Sequence, residues 1–374
     1  MAVSIDFSHY IHKVQQDLHR IPEPAFKEFK TAAYIEKELK SMGYTVQSGI
    51  AGTGVIGTYK GERDRPCIGV RADMDCITHE EDGRVFYRHS CGHDAHSSIA
   101  LGIAKLLSEQ KEKMKGSVKF IFQPAEEIMQ GAKAMVHEGV LEDVDSLIGF
   151  HLRTATECPT GSMSPALMHS AATILTGKIQ GRTAHGGRPH LGVNVIDVFG
   201  TLINSIHAIR PNPQTGTTIK FTSLSAGGGS YNVIPGSGSF ALDVRSRDNK
   251  ELHRMLERIA RIIHHTGSMY DATITYKVEG RVPAPRYSEE LIQEAKVAIE
   301  SVLGEGKAIS PILTPGGEDF HYYTDLTNIE AVFLGIGANV SPGLHDPSMT
   351  FEKNSLVEAA NVISHLVNQL HNKE

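Results

Sequence analysis

The chain has 374 residues, beyond the length at which one hydrophobic core usually keeps growing, so two domains are expected. Its 40% hydrophobic and 21% charged residues are those of an ordinary globular protein, and a formal net charge of -6 with scattered Lys and Arg excludes a nucleic-acid footprint. No apolar run approaches membrane-spanning length, and the opening MAVSIDFSHYIHKVQQDLHR lacks the apolar stretch of a secretory signal, so a cytoplasmic protein with neither nucleic acid nor membrane as partner is expected.

Apolar residues recurring at three and four positions predict helices over Phe7–His19 and Glu28–Met42, the second stopped by Gly43. The short apolar runs Cys67–Met74, Val118–Gln123, Ser146–Leu152 and Ala331–Gly337 read as strands buried on both faces. An amphipathic helix near His96–Gln110 separates the first two, and another closes the chain over Ser355–Leu370. Strands alternating with helices predict an α/β fold with a mostly parallel central sheet.

The middle of the chain follows a different order. Strand (ILTGKIQG), helix (Asn194–Ile209), strand (TTIKFTSLSA), strand (SGSFALDVRS), helix (Lys250–Thr266) and strand (ATITYKVE) form a ferredoxin-like β-α-β-β-α-β pattern. An inserted domain over residues 174–283 is therefore expected, flanked by a first domain of residues 1–173 and 284–374. The host resumes after the Pro-rich join VPAPRY.

In α/β sheets ligands bind at the carboxyl ends of the strands, and here those ends carry metal-ligand residue types. Asp73 and Asp75 follow CIGVRA, Glu126 and Glu127 follow VKFIFQPA, His151 ends SLIGF, and His345 lies in the loop after AVFLGIG. Cys91 and His93 stand just before a helix, separated by Gly92, so a turn at a helix N-terminus would present them both. There the macrodipole and a metal would each favour the Cys91 thiolate. The other cysteines, Cys67, Cys76 and Cys158, show no CxxC pair, and free thiols are expected. One Cys, three His and a carboxylate suit Zn²⁺, or Mn²⁺, Co²⁺ or Ni²⁺ according to supply. Five candidate ligands exceed one closed tetrahedral site, which favours two ions. Of the adjacent pair, one glutamate can ligate while its neighbour holds the attacking water.

An ordered set of motifs runs almost the whole chain: His19-Arg-Ile-Pro-Glu23-Pro, Arg71-Ala-Asp-Met-Asp75, Ser90-Cys-Gly-His-Asp94, Phe122-Gln-Pro-Ala-Glu-Glu127, Gly149-Phe-His151, Ala184-His-Gly186 with Pro189-His190, Asn232-Val-Ile-Pro235, Gly317-Glu-Asp-Phe320 and Gly343-Leu-His345. The set resembles the amidohydrolase branch of the aminoacylase and carboxypeptidase-type dinuclear metallohydrolases, which includes hippurate hydrolases and auxin-conjugate hydrolases. That resemblance implies a zinc-peptidase-like catalytic domain and an inserted lid and dimerisation domain. It also implies hydrolysis of the amide bond of N-acyl-L-amino acids. Cys91 would bridge two divalent metal ions, His93, Glu127, His151 and His345 would complete their ligands, and Glu126 would act as general base toward a water between them. His185 and Asn232 would stabilise the oxyanion, and Asp73 and Asp94 would orient ligand histidines. Arg245, at the end of a strand of the insert, is read either as a partner for a substrate carboxylate or as half of a surface salt bridge. A homodimer through the lid is implied as well.

Two departures bear on the substrate. Asp75 is followed by Cys76-Ile-Thr-His79-Glu80 where the family has Ala-Leu-Pro and an acidic residue, and Gly317 stands where Ser is common. Cys76 and His79 are alternative ligand candidates, although packing is the expected role of both. A small-peptide metallopeptidase of the same superfamily is the competing reading. A Rossmann-type oxidoreductase is opposed by the missing GxGxxG, since Gly52-Thr-Gly54-Val-Ile-Gly57 leads into a strand. A non-catalytic metal-binding or amino-acid-sensing protein is opposed by the intact base.

Overall fold

The computed structural model describes residues 5–373, which fall into two compact units. The larger comprises the described residues up to Met168 together with Arg286–Thr314 and those from Glu318 onward; the smaller is His169–Pro285 with Pro315–Gly317. The smaller unit begins at His169, and within it Arg245 Nη1 donates to the Pro315 carbonyl at 2.8 Å.

The larger unit is built on a seven-stranded sheet of β1 (Thr45–Ile50), β2 (Gly54–Tyr59), β3 (Cys67–Asp73), β4 (Ser117–Gln123), β5 (Ser146–Arg153), β6 (Met163–Ser164) and β7 (Glu330–Gly337), in spatial order β1-β2-β4-β3-β5-β7-β6. The four central strands β4, β3, β5 and β7 are parallel, and antiparallel strands flank them on either side. Every residue of β3 and β4 is buried, as expected of mostly apolar strands covered on both faces, and the charged Arg71 and Asp73 of β3 are buried with them.

Alternation along each strand sends side chains to two separate cores. Ile68, Val70, Phe120, Phe122, Ile148, Phe150, Val332 and Leu334 enter one, packed under the helices Ile5–His19, His93–Ser108 and Asn354–His371. Cys67, Ile121, Leu147, Ala331 and Phe333 enter the other with Phe320 and Tyr323. Arg71, Asp73, Gln123 and His151 share the parity of this second set. Polar groups therefore line the carboxyl ends of three adjacent strands on one sheet face.

The helix His93–Ser108 starts three residues earlier than its periodicity predicts. Gly92 caps it in a left-handed conformation (φ 88°) that glycine adopts without strain. Its middle lies so close to the first helix that a Cβ on Gly102 would come within 2.6 Å of Ile11 Cδ1.

The smaller unit is a four-stranded antiparallel sheet, ordered Thr218–Ala226, Ser237–Ser246, Ala171–Gln180, Thr273–Val282. Leu175, Ile179, Phe240, Leu242 and Val244 meet Val198, Leu202, Met255 and Ile259 of the helices Val195–His207 and Asn249–Tyr270 in its core. Asn194 and Asp248 cap those helices by accepting the amides of Ile196 and Glu251. This is the β-α-β-β-α-β arrangement read from the sequence. No helix among the described residues is long and apolar enough to cross a membrane.

Because Gly102 fixes the approach of the helix that carries His93, Gly102→Leu should destabilise the protein by about 1–3 kcal/mol through overpacking. Urea unfolding followed by circular dichroism reads the loss.

Candidate metal centre

Arg71 is the largest fully buried side chain among the described residues, and the carboxyl oxygens of two of its partners, Glu318 and Asp319, lie within 4.8 Å of one on Glu126. Its Nε donates to Gln123 Oε1 at 2.8 Å, Nη1 to Asp73 Oδ2 at 2.8 Å and Nη2 to Asp319 Oδ1 at 2.9 Å, with Glu318 Oε1 at 3.2 Å. Gln123 Nε2 and the Ala132 amide also donate to Asp319, whose own amide reaches Glu126 Oε1 at 3.4 Å. The loop carrying Glu318 and Asp319 is thereby tied to the ends of β3 and β4.

Above this network the predicted ligands converge. Cys91 Sγ lies 3.4 Å from His151 Nε2. His93 Nε2 is 3.5 Å from Glu127 Oε1 and 3.9 Å from Glu126 Oε2, and His345 Nε2 is 3.7 Å from Glu127 Oε2. The donor atoms of Cys91, His93 and His151 all lie within 4.8 Å of one another, and so do those of Cys91, Glu127 and His345. Cys91 is common to both groups. Its thiol sits on the turn before Gly92, as the spacing predicts. His345 adopts a left-handed φ of 69°, held by a 2.6 Å bond from its amide to the Ser90 carbonyl.

Hydrogen bonds fix the histidine tautomers. Asp75 Oδ1 takes the Nδ1 proton of His93 at 3.1 Å, and the Leu152 carbonyl takes that of His151 at 2.8 Å, so both Nε2 atoms face the cluster, where a metal would replace any proton on them. Asp75 Oδ2 also accepts the Glu127 amide, so one carboxylate orients two candidate ligands. His96, though close by, has no free nitrogen: Nδ1 faces Asp73 Oδ1 at 2.7 Å, and Nε2 accepts the Leu152 amide at 3.1 Å.

The electrostatics call for cations. Asp73, Glu318 and Asp319 surround the Arg71 guanidinium, and Asp75, Glu126 and Glu127 add further carboxylates to the cluster. Burial, and then the charges of Glu318, Glu127 and Asp319, push Glu126 well above the ordinary carboxylate range. Burial raises Glu127 to about 7 against the opposing His93. For His93, burial is outweighed by Asp73, Asp75 and Glu127, and its pKa rises to about 10. Burial, followed by Glu127, Glu126 and Asp73, pushes the Cys91 thiol up, which is opposite to the lowering expected from a helix terminus alone. A buried cation would reverse that balance, because it stabilises thiolate and carboxylates together. His93 Nε2 and Glu127 Oε1 are buried without a hydrogen-bond partner among the described residues, as metal-directed atoms would be. The donor set fits divalent metal ions.

Other expected residues lie elsewhere. Asp94, expected to orient a ligand histidine, instead binds His19 Nδ1 at 2.7 Å and Gln15 Nε2 at 2.8 Å; the histidine-orienting carboxylate that sequence reasoning missed is Asp75. His79 bonds Ser90 Oγ at 2.8 Å and stacks on Phe86, while the buried Cys76 donates its amide to Glu23 O. Neither is in a metal-capable group among the described residues. In the smaller unit His185 faces Val233 on a two-stranded ribbon, and the Gly186 amide donates to Asn232 O at 2.7 Å, which makes His185 and Asn232 neighbours. Arg245 forms a bidentate pair with Asp243 at 2.9 and 3.0 Å, which leaves few donors for a substrate.

A cluster of thiol, imidazole and paired glutamates at the carboxyl edge of a mostly parallel sheet is the donor set of a metal-dependent hydrolase. Residues 69–369 match the model of peptidase family M20/M25/M40. The chain is 29% identical over 357 residues to the N-acetyl-L-cysteine deacetylase of Bacillus subtilis (strain 168), covering 93% of this chain and 85% of that one. It is 30% identical over 372 residues to IAA-amino acid hydrolase ILR1-like 4 of Arabidopsis thaliana, covering 95% and 83%. Among solved structures, the Bacillus subtilis YXEP protein, a dinuclear metal-binding peptidase of family M20, superposes with a TM-score of 0.85 at 26% identity over 100% of both chains. The chain belongs to peptidase family M20/M25/M40, and it is a metal-binding amidohydrolase of that family.

Asp75→Asn should weaken metal binding about 10- to 100-fold while leaving the fold intact. Calorimetric titration of the metal-stripped protein with Zn²⁺ measures the change.

Proposed function

We propose that the protein hydrolyses N-acyl-L-amino acids to the free amino acid and a carboxylate. Cys91 would lie between two divalent ions, with His93, Glu127, His151 and His345 as the remaining ligands and Glu126 as general base. The donor set suits Zn²⁺, Mn²⁺, Co²⁺ or Ni²⁺. Bound there, the metals supply Lewis acidity to the scissile carbonyl and to the attacking water.

The observation that carries the reading is Glu126. It is buried beside a ligand-type glutamate, and burial with neighbouring negative charge raises its affinity for a proton. Such a carboxylate can take a proton from water, hold it on a carboxyl oxygen, and deliver it to the leaving amine. The Asp319 amide near Oε1 limits where that oxygen can move.

In His185, Nδ1 accepts the Gly187 amide at 3.0 Å, so the neutral ring carries its proton on Nε2. An Nε2–H donor, with the adjacent Asn232, suits stabilisation of an oxyanion. Arg245 would meet the substrate carboxylate only through the N–H groups that Asp243 and Pro315 leave free. The smaller unit would act as lid and as the surface of a homodimer. Four free buried cysteines agree with a reducing cytoplasm.

Glu126→Gln should lower kcat about 10²- to 10⁴-fold with metal content unchanged, measured by amine release and elemental analysis. Full activity in that variant rejects the assignment. A panel of N-acetyl, N-benzoyl and indole-acetyl amino acids should be turned over in preference to dipeptides; the reverse order identifies a small-peptide peptidase. Light scattering should report a dimer, and a monomer would contradict the proposed role of the small unit.

A further inference from the structure

Glu28 is a carboxylate with no exposed surface, on the turn before the helix Phe29–Ser41, and the reaction outlined above gives it no part. Its Oε1 accepts two backbone amides, Phe26 at 3.0 Å and Ala125 at 2.9 Å. Its Oε2 accepts the hydroxyl of Thr53, itself buried. Ala125 immediately precedes Glu126 and has φ 53°, the left-handed region that a residue with a Cβ rarely occupies. The turn after β4 is therefore held in an unfavourable backbone conformation at the residue next to the glutamate pair. On one side the Ala125 amide is anchored by Glu28. On the other, the Ala125 carbonyl accepts the Gly131 amide at 3.1 Å, and the Glu126 carbonyl accepts that of Met129 at 2.7 Å.

We infer that Glu28 is a positioning residue for the reaction: its carboxyl, acting through the Ala125 amide, sets the backbone from which Glu126 and Glu127 project. This rests on the roles given to those two glutamates above. The requirement is for acceptor geometry, not for charge. Burial raises the pKa of Glu28, with Thr53 opposing, and no cation is among the causes of its shift. A neutral side chain of the same reach would serve. Gln at this position can accept both amides through its carbonyl oxygen and donate its NH₂ group to Thr53 Oγ, since a hydroxyl both donates and accepts. Asp keeps the charge but is one methylene too short to reach Ala125.

The two conservative variants therefore separate the explanations. With the N-acyl amino acid that the panel finds best turned over, and below the melting temperature of each variant, Glu28→Gln should keep kcat within about threefold of the parent. Glu28→Asp should lower kcat about 100-fold with KM changed less than threefold, the size of effect that a misplacement of about 1 Å produces. An Asp variant of parental kcat overturns the inference, as does a Gln variant as impaired as the Asp variant or unable to fold. Glu126→Gln, assayed in parallel, separates the two readings. If it stays active, the base assignment fails; if it is inactive while Glu28→Asp is fully active, only the positioning role fails.

Discussion

The buried guanidinium of Arg71 is the constraint on which the centre depends. Removing such a charge from water costs several kcal/mol, and only close ionic partners offset this. Glu318, Asp73 and Asp319 do so, each within 3.2 Å. In doing so they fix the relative placement of β3, β4 and a loop nearly 250 residues further along the chain. The same carboxylates then act upward: they surround the glutamate pair with negative charge, raise the proton affinity of Glu126 and call for cations at the ligand cluster. Structural pairing below and chemical activation above are two faces of one charge distribution.

The precision of the cluster comes from hydrogen bonds to neighbours that are not ligand candidates. Asp75 and the Leu152 carbonyl each fix which nitrogen of a histidine is free. The Ser90 carbonyl holds the backbone of His345 in a conformation it would not choose alone. Two of the chain's left-handed non-glycine residues, Ala125 and His345, adjoin or form the site, where surrounding hydrogen bonds over-determine the backbone.

Much of this was legible in the chain, for physical reasons that differ from residue to residue. Strands buried on both faces leave short, mostly apolar runs, so β3, β4, β5 and β7 could be bounded to within a residue or two. The candidate ligands were legible because they follow those runs directly. Arg71 was quoted only as part of a motif, although a charge inside a fully buried strand must be paired and could have been singled out on that ground. The choice between Asp73, Asp75 and Asp94 as histidine-orienting groups was not legible, since it depends on which side of a turn each carboxylate faces. The helix start at His93 was missed because His93 and Asp94 are polar and apolar periodicity begins only after them. For Arg245 the strand-end position left a substrate carboxylate and a salt bridge equally open, and Asp243, two residues before it on the same sheet face, is the partner the pleat supplies.

The first and last long strands of the inserted unit lie side by side, with Ala172 opposite Val282. The points at which the chain enters and leaves the insert are thus neighbours in space. To the host, an excursion of more than a hundred residues is no wider than an ordinary loop, and closing it adds little entropic cost beyond that of folding the insert. Such a module can be lengthened, exchanged for another with adjacent termini, or replaced by a short turn without stretching the strands that position the candidate ligands. The smaller unit and the unit that holds the candidate metal centre can therefore diversify at different rates within one polypeptide.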